Sequence, residues 1–580
     1  MAERRSTEST ARRSAEEPES RTMAAAKEKT SSALSRRKFL TRVSGAVAAT
    51  LAADAVHLPL LKGQSSGTAE AGEIGPLSPQ KRRNRAFRIR QTTARFQRDL
   101  PLPDHASNGD EKLFANKIGS YSKALPHNDL GEVDLTAYDA LIAALSSGDP
   151  AAFEAIPQGG SVKQANPQAC FTFDLEGADS HHLSTIPPPA FSSAEEAGEI
   201  AELYWQALTR DVPFNNYTTD PLIIAAAVDL SKFSVFKGPK AGGVVTPDTL
   251  FRGNTPGDLA GPYISQFLWK DIPYGAQTIV QRYKVPIAVP IAGNDFLTTY
   301  GDWLNNQKGV PPATPITFDP TPRYIRCGRD LGEYVHRDFT YQAFLNAALI
   351  LLSFGAAALD DGNPYKTSAK QGGFVTFGGP HILDLVTRVA NAALRAVWCQ
   401  KWLVHRRLRP EAFAGHLHNH KIGAANYPIH PEILNSPVLT EVFIKYGTYL
   451  LPQAYPEGCP THPAYPSGHA GIAGACATVL KAFFKESFVI PKPVVVNEDG
   501  TALDAYSGEL TVGGELDKLA SNTCISRDTA GIHWRSDGIE GINLGEAVAI
   551  KVLGDFASTY NENFNGFSLT KFDGSTVTVG

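Results

Sequence analysis

Three short segments in the C-terminal half of the chain carry side chains that suit the binding of an oxyanion. The first contains a lysine and an arginine, the second a serine, a glycine and a histidine, and the third an arginine and a histidine. Guanidinium groups give bidentate, charge-assisted hydrogen bonds to such anions, and an ammonium adds a compact positive charge. If the fold collects them, these groups would bind a tetrahedral oxyanion with more than one negative charge. The residues are Lys401, Arg409, Ser467, Gly468, His469, Arg527 and His533.

The first segment presents its two cations from different directions. Lys401 lies near the end of a predicted helix at 381–408, whose apolar positions recur at helical spacing. Arg409 precedes Pro410, and a residue before proline is disfavoured in helical geometry. We therefore expect Arg409 to leave the helix and to reach the same point as Lys401 from another side.

The second and third segments add backbone and imidazole groups. Ser467 suits the N-cap of the next predicted helix, where Gly468 allows close backbone approach and the free amides favour an anion. Arg527 and His533 are six residues apart, and Gly531 between them permits a bend. We expect both side chains to face one point.

Helical patterns dominate the elements that must position these groups. Apolar residues recur at three- and four-residue spacing, and proline- and glycine-rich loops separate the runs. We predict a mainly α fold of helix bundles with long loops and a few short strands. The expected helices are at 135–145, 193–208, 341–359, 381–408, 431–450, 467–485 and 538–560, and a hairpin is expected from 488–496 and 510–512.

The composition is that of an ordinary globular protein. Of 580 residues, 42% are hydrophobic and 20% are charged, and the formal net charge of -4 argues against a nucleic-acid partner bound through a basic surface. No linker is evident, so we predict one large domain at 72–580, with its active site within 398–537. Six cysteines permit disulfides or isolated thiols, and the absence of a CxxC pair argues against a structural zinc site.

The N-terminus has the features of an export signal. Residues 1–35 form a polar lead that we expect to be disordered, and 36–71 begin with Arg36-Arg37 before a short, alanine-rich apolar run. This order resembles a twin-arginine signal; the alternatives are a short membrane anchor and an amphipathic tail. We expect export to the periplasm or the extracellular space, with no stable membrane span.

Taken together, the three segments resemble the anion site of the vanadium-dependent haloperoxidases. Membrane-lipid and bacterial acid phosphatases share the pattern, which reads Lys…Arg-Pro, Pro-Ser-Gly-His and Ser-Arg…His. It appears here as Lys401 with Arg409-Pro410, Pro466 to His469, and Ser526-Arg527 with His533.

Three features are closest to the algal and bacterial bromoperoxidase branch of that family. Seven residues separate Lys401 from Arg409, where the phosphatases usually have six. His462 lies seven residues before His469, at a position where bromoperoxidases carry a histidine. Trp398, three residues before Lys401, matches a position near the halide path.

The resemblance implies a fold of two four-helix bundles, vanadate as cofactor and a role for each site residue. His533 would ligate vanadium, while Lys401, Arg409, Arg527, Ser467 and Gly468 would bind the vanadate oxygens. His469 would handle protons, and His462 would tune that proton network and form the halide pocket with Trp398. Asp338 matches a carboxylate that pairs with an active-site arginine.

The implied activity is the oxidation of bromide or iodide by hydrogen peroxide to hypohalous acid, which halogenates small organic acceptors. Algal relatives imply a homo-oligomer. One alternative is an acid phosphatase of the same superfamily, with His533 as a nucleophile that forms a phosphohistidine and His469 as the acid for the leaving group. A second alternative is an exported protein that only binds an oxyanion.

Two further clusters carry weaker signals. His416, His418 and His420 alternate in a way that fits an extended loop, and we expect a surface or structural role for them. Residues 360–363 resemble part of a calcium loop but lack the rest of the twelve-residue pattern. Calcium is compatible with that segment, but no calcium site is predicted.

Overall fold

The computed structural model describes residues 76–287 and 294–580. By its contacts the chain divides into Met1–Leu77, almost all of which lies outside the described residues, and one compact unit, Ser78–Gly580. The predicted polar lead and export signal also lie outside the described residues. None of the helices in the described part is long and apolar enough to cross a bilayer.

The described residues form a mainly helical structure, as the sequence predicts. Sixteen α-helices are present there: α1 Pro79–Asp99, α2 Asp110–Leu113, α3 Leu135–Ser147, α4 Pro150–Glu154, α5 Ala194–Thr209, α6 Pro221–Leu230, α7 Tyr300–Gln307, α8 Gly328–Arg337, α9 Gln342–Ser353, α10 Gly379–Cys399, α11 Pro410–Lys421, α12 Pro431–Leu434, α13 Pro437–Tyr446, α14 Gly468–Phe483, α15 Val512–Thr529 and α16 Arg535–Ala557. Short 3-10 turns lie at Pro167–Phe171, Ser180–His182, Phe214–Asn216, Gln266–Leu268 and Ala356–Ala358, and a π-helix follows α10 at Gln400–His405.

The strands are few and short. Those in the described ranges form three separate antiparallel pairs: β1 Ile272–Tyr274 with β2 Gln277–Ile279, β3 Val494–Val496 with β4 Leu503–Ala505, and β5 Phe567–Thr570 with β6 Thr576–Val579. The predicted hairpin is only partly confirmed, because β3 pairs with the nearer strand β4. Residues 488–490 do pair antiparallel with 510–512, through the bridge between Val489 and Thr511 and two backbone hydrogen bonds.

Two predicted helices are shorter than expected for local reasons. The helix predicted at 341–359 ends at Ser353, and Gly355 follows with a left-handed φ of 74°. The one predicted at 431–450 is split, because Pro437 begins the new helix α13 after the N-cap Ser436.

Four helices, α10, α14, α15 and α16, pack together as a bundle that contains the candidate site. Helix α14 is central and contacts the other three. Its closest neighbour is α16: a Cβ added to Gly545 would lie 2.0 Å from the Gly471 carbonyl oxygen. Only glycine at this crossing lets the two backbones touch.

A second group of helices consists of α5 packed against α6, α12 and α13. Helix α5 is buried along almost its whole length, including the carboxylates of Glu196, Glu199 and Glu202. Buried carboxylates need positive or hydrogen-bonding partners, and these come from the segments beside the bundle. The two groups of helices are therefore joined by charge as well as by apolar packing.

Candidate active site

The side chain of Arg409 links the first segment to the third. This residue has an extended backbone (φ -87°, ψ 154°) as the N-cap of α11, which confirms that Pro410 removes it from the preceding helix. One terminal nitrogen lies 3.0 Å from His533 Nε2, and the other lies 3.0 Å from His462 Nδ1. Arg409 thus connects the first segment to the third and to the loop that carries His462.

Lys401 reaches the same place from the π-helix that follows α10. Its side chain is fully buried, and its Nζ donates to the carbonyl oxygens of Pro463 and Ala464, both at 2.6 Å. An ammonium has three donors, so one N–H remains for another acceptor. Burial, followed by the charges of Arg409 and Arg527, holds the pKa of Lys401 well below its ordinary value.

His533 is held as a neutral ring with a defined tautomer. Its Nδ1 lies 2.7 Å from Asp537 Oδ2, an oxygen that also accepts from the Trp534 amide. That carboxylate is an acceptor, so Nδ1 carries the proton and Nε2 presents its lone pair to Arg409. Burial, and then the charges of Arg409 and Lys401, hold the pKa of His533 well below its ordinary value.

Asp537 is itself fixed by a buried guanidinium. Arg407 donates to Asp537 Oδ1 at 2.9 Å and to Ser536 Oγ at 2.8 Å. Its other terminal nitrogen bonds to Glu196 and, at 2.9 Å, to Glu199 of α5. The second helix group therefore orients the imidazole of His533 through Arg407 and Asp537.

The bundle also brings the two helix starts together. The Ser467 amide donates to the Asp537 carbonyl oxygen at 2.9 Å, which ties the beginning of α14 to the beginning of α16. Ser467 is the N-cap residue, as predicted, but its side chain makes no capping bond. Within the described residues, its buried hydroxyl oxygen has no hydrogen-bond partner, and neither does the buried Nε of Arg527.

These features leave the site short of negative charge. Lys401, Arg409 and Arg527 form no ion pair within the described part of the chain, although all three are buried. Burial also lowers the pKa of Arg409. Buried charges without counterions are costly, and unpartnered polar atoms add to the cost. The donor set therefore fits a small oxyanion that accepts from all three cations and from Ser467.

His469 and Asp338 lie on the open side of these cations. His469 Nε2 is 2.9 Å from Asp338 Oδ1, whose side chain is only 2% exposed. The resemblance implied that Asp338 would pair with an arginine, but the structure gives it His469 as its partner. Arg527 instead donates to the Val335 carbonyl oxygen at 2.9 Å. The carboxylate is thus placed to orient His469.

A pocket of about 460 Å³ leads from the surface to these groups. Trp398, His462, His469 and Arg527 all line it. The rings of Trp398 and His462 pack at 4.8 Å, and burial, with the charges of Arg409 and Lys401, lowers the pKa of His462 well below its ordinary value. A neutral indole–imidazole wall therefore faces the entering ligand.

The weaker clusters of the sequence lie elsewhere in the fold. The histidine run was expected in an extended loop, but it lies on helix α11, and His416 and His418 are buried. At the segment 360–363, Asp361 pairs with Lys366 and Lys485. No group of three or more His, Cys, Asp or Glu side chains that could hold a metal ion occurs among the described residues. All six cysteines are buried and unpaired.

Sequence reasoning missed Asp537 and Arg407. Asp537 follows His533 by four residues, a helical spacing that places two side chains on one face, so the sequence could have indicated this contact. Arg407 had no such signal, because its carboxylate partners come from α5, more than 200 positions earlier in the chain.

Comparisons with known proteins identify relatives of this chain. The family model described as VCPO second helical-bundle domain matches residues 385–562. The vanadium-dependent bromoperoxidase of Corallina officinalis is 35% identical over 596 aligned residues, covering 86% of this chain and 99% of that protein. That of Ascophyllum nodosum is 36% identical, covering 87% and 95%.

A solved structure of a relative has the same fold. The homohexameric structure of the second vanadate-dependent bromoperoxidase from Ascophyllum nodosum superposes with a TM-score of 0.82 at 32% identity. The match covers 88% of this chain and 93% of that one. The chain therefore belongs to the family of vanadium-dependent bromoperoxidases.

Proposed function

We propose that this chain binds vanadate and oxidises bromide or iodide with hydrogen peroxide to hypohalous acid, which halogenates small organic acceptors. The observation that carries the proposal is the set of three buried cations that have no carboxylate partner among the described residues. They lie beside the unprotonated Nε2 of His533, which accepts from Arg409. Vanadate matches both features, since it is a multiply charged oxyanion whose metal accepts an imidazole nitrogen.

Each site residue has a proposed part in holding the cofactor. His533 would ligate vanadium through Nε2, because Asp537 occupies Nδ1. Lys401, Arg409 and Arg527 would neutralise the oxygens, with the Ser467 hydroxyl and the Gly468 amide as further donors. When bound, vanadate supplies a Lewis acid that activates hydrogen peroxide towards a halide.

The reaction needs a proton, and His469 is placed to supply it. Bromide loses two electrons as it bonds to one peroxide oxygen, the O–O bond breaks, and the other oxygen leaves as water. Written as a balance, hydrogen peroxide, bromide and one proton give hypobromous acid and water. His469 faces the pocket, and the Asp338 carboxylate behind it fixes the orientation of its ring for proton transfer.

Halide would approach along the pocket wall formed by Trp398 and His462. Both side chains are partly exposed there, and His462 Nδ1 lies 3.0 Å from Arg409. Arg409 also donates through Nε to the His462 carbonyl oxygen at 2.9 Å, which holds this loop against the cations. We assign Trp398 and His462 to the halide pocket.

Removal and return of vanadate tests the proposal. Protein stripped by a chelator should lose bromination of a phenol indicator and regain it only with added vanadate. The variant His533→Ala should stay inactive at the same vanadate concentration, whereas His127→Gln, a buried histidine outside the site, should be restored. Bromination that persists without vanadate would refute the assignment.

The same preparation decides between the peroxidase and the phosphatase. Phosphate suits the same cations, so it should compete with vanadate in the restoration assay. Turnover of a phosphate ester that vanadate inhibits, with no bromination, would instead identify a phosphatase that uses His533 as nucleophile. Vanadate binding without either turnover would identify a protein that only binds the anion.

We also propose that the protein is exported and forms a homo-oligomer. Export is supported by Arg36-Arg37 before an apolar run. Assembly is supported by the relative whose structure is described as homohexameric. N-terminal sequencing of secreted protein that finds Arg36-Arg37 retained would refute cleavage, and a monomeric mass in solution by light scattering would refute assembly.

A further inference from the structure

One wall of the pocket carries a charged cluster that the proposed reaction does not use. His336, at the end of α8, lines the pocket together with Tyr455 and Glu457. Its Nδ1 lies 3.2 Å from Glu333 Oε2, and its Nε2 lies 2.6 Å from Glu457 Oε1. The ring stacks on Tyr455 with centroids 3.8 Å apart and planes 10° apart.

This geometry requires an imidazolium. A neutral imidazole has one N–H, so it could serve only one of two carboxylates, whereas the protonated ring serves both. Burial by itself lowers the pKa of His336, but the hydrogen bonds and charges of Glu333 and Glu457 outweigh it and raise the pKa above its ordinary value. The wall therefore carries a positive charge between two negative ones.

The remaining charged groups that face the cluster are already balanced or belong to the site. Arg337 pairs with Glu333 and points outward, with its side chain 57% exposed. Lys123 uses all three donors on Glu411 and two carbonyl oxygens. Arg527 lies 6.0 Å from the Tyr455 ring centroid and, with Asp338 and His469, belongs to the site.

The charges on this wall can be counted. With His336 protonated, it and Arg337 balance Glu333 and Glu457. With a neutral His336, the wall carries one net negative charge beside the path of an entering anion, and such a charge lowers the local anion concentration. Hydrogen peroxide is uncharged, so its local concentration would not change with the charge of the wall.

We propose that His336 is a specificity-determining residue. Its imidazolium, which lies between Glu333 and Glu457, removes the net negative charge of the pocket wall and so allows halide to enter. The inference rests on the proposed function only for the identity of the substrate. The placement of the charge is a property of the pocket itself and can be measured without turnover.

Two substitutions should move halide use in opposite directions. His336→Gln should raise the KM for bromide by roughly three- to tenfold, the effect of one charge acting through a partly hydrated pocket. Glu457→Gln should lower it, and the double variant should return near the wild-type value. The KM for hydrogen peroxide and kcat should change less than about twofold, since neither depends on anion entry.

Tryptophan fluorescence gives a measurement independent of vanadate and activity. Of the six tryptophans, Trp205, Trp269, Trp303, Trp402 and Trp534 are at most 2% exposed, so Trp398 in the pocket is the one that a quencher can reach. In vanadate-free protein, iodide quenching should weaken in His336→Gln and strengthen in Glu457→Gln. Quenching by neutral acrylamide should stay constant, and His181→Gln, an exposed histidine outside the pocket, should match wild type.

The outcomes separate the two proposals. Opposite shifts in iodide quenching with constant acrylamide quenching support the role of His336, even if the protein proves to have no bromoperoxidase activity. Equal loss of quenching by both agents would mean a collapsed pocket and would overturn the inference. Unchanged iodide quenching in both variants would also overturn it, whether or not bromination is observed.

Discussion

The bond between His533 and Asp537 gives the sharpest quantitative expectation. Asp537 accepts from His533 Nδ1 at 2.7 Å, from Arg407 at 2.9 Å and from the Trp534 amide at 3.1 Å, and it is fully buried. In Asp537→Asn the amide has one acceptor and one donor side. Either its NH2 group faces the Arg407 guanidinium, or it faces His533 and forces the proton onto Nε2.

Both orientations weaken the binding of an oxyanion by His533. A hydrogen bond to a charged group contributes about 1.5–3 kcal/mol, and residues that orient a metal ligand typically contribute about 10- to 100-fold in affinity. These figures agree, because a tenfold change corresponds to about 1.4 kcal/mol. We expect the vanadate Kd of Asp537→Asn to rise by about 10- to 100-fold, measured by calorimetry on stripped protein.

A matched control separates orientation from general damage. Asp517 forms a buried ion pair with Lys481 at 2.8 Å and lies ten residues before Arg527 on α15, or about 15 Å along the helix. Asp517→Asn should lower thermal stability, as Asp537→Asn does, but leave the vanadate Kd unchanged. If the two variants bind vanadate equally well, the orienting role assigned to Asp537 is refuted.

Three other changes test the packing and electrostatics around the site. Ser467→Ala removes a buried hydroxyl that has no partner among the described residues. The unfolding free energy of vanadate-free protein should therefore stay the same or rise by up to about 1 kcal/mol, while vanadate affinity falls. A loss of stability would contradict this. Burial lowers the pKa of His416 to about 4, so the unfolded state takes up the proton first as pH falls below 6.5, and the unfolding free energy should drop by up to about 1.4 kcal/mol per pH unit towards pH 4. In His416→Leu, the unfolding free energy from urea titrations at several pH values should fall less steeply with decreasing pH than in the wild type. An unchanged pH dependence would contradict this reasoning. Gly545→Ala places a Cβ 2.0 Å from the Gly471 carbonyl oxygen, so it should destabilise the protein by about 1–3 kcal/mol or more; a neutral effect in thermal unfolding would contradict the close crossing.

The helices near the site could be predicted because the residues that mark helix starts in the sequence also begin the helices of the packed structure. Pro410 both begins α11 and displaces Arg409, and Ser467 marks the start of α14 as expected. Prediction was wrong where a distant contact decided the outcome. The histidine run at 416–420 alternates like a strand, yet His416 packs its ring against Tyr427 and Phe191, and this contact exists only once the helix is buried.

The structure also refined the predictions for two site residues. Ser467 was expected both to cap its helix and to bind the anion; it is the N-cap residue, but its hydroxyl makes no capping bond and has no partner among the described residues. Asp338 was expected beside an arginine, but it holds His469. Residue types predict what a side chain can bind, whereas its partner depends on which backbone elements are brought within reach.

By itself the sequence determined the helical class and the seven residues proposed for the oxyanion site, because helical periodicity and side-chain chemistry are local properties. Only the tertiary structure decided the protonation of His533 and the charge balance of one wall of the pocket. Arg407, Glu196 and Glu199 set the first through Asp537, and Glu333 and Glu457 set the second through His336. Electrostatic interactions act through space and strengthen with burial, so they depend on distances that residue order alone does not contain.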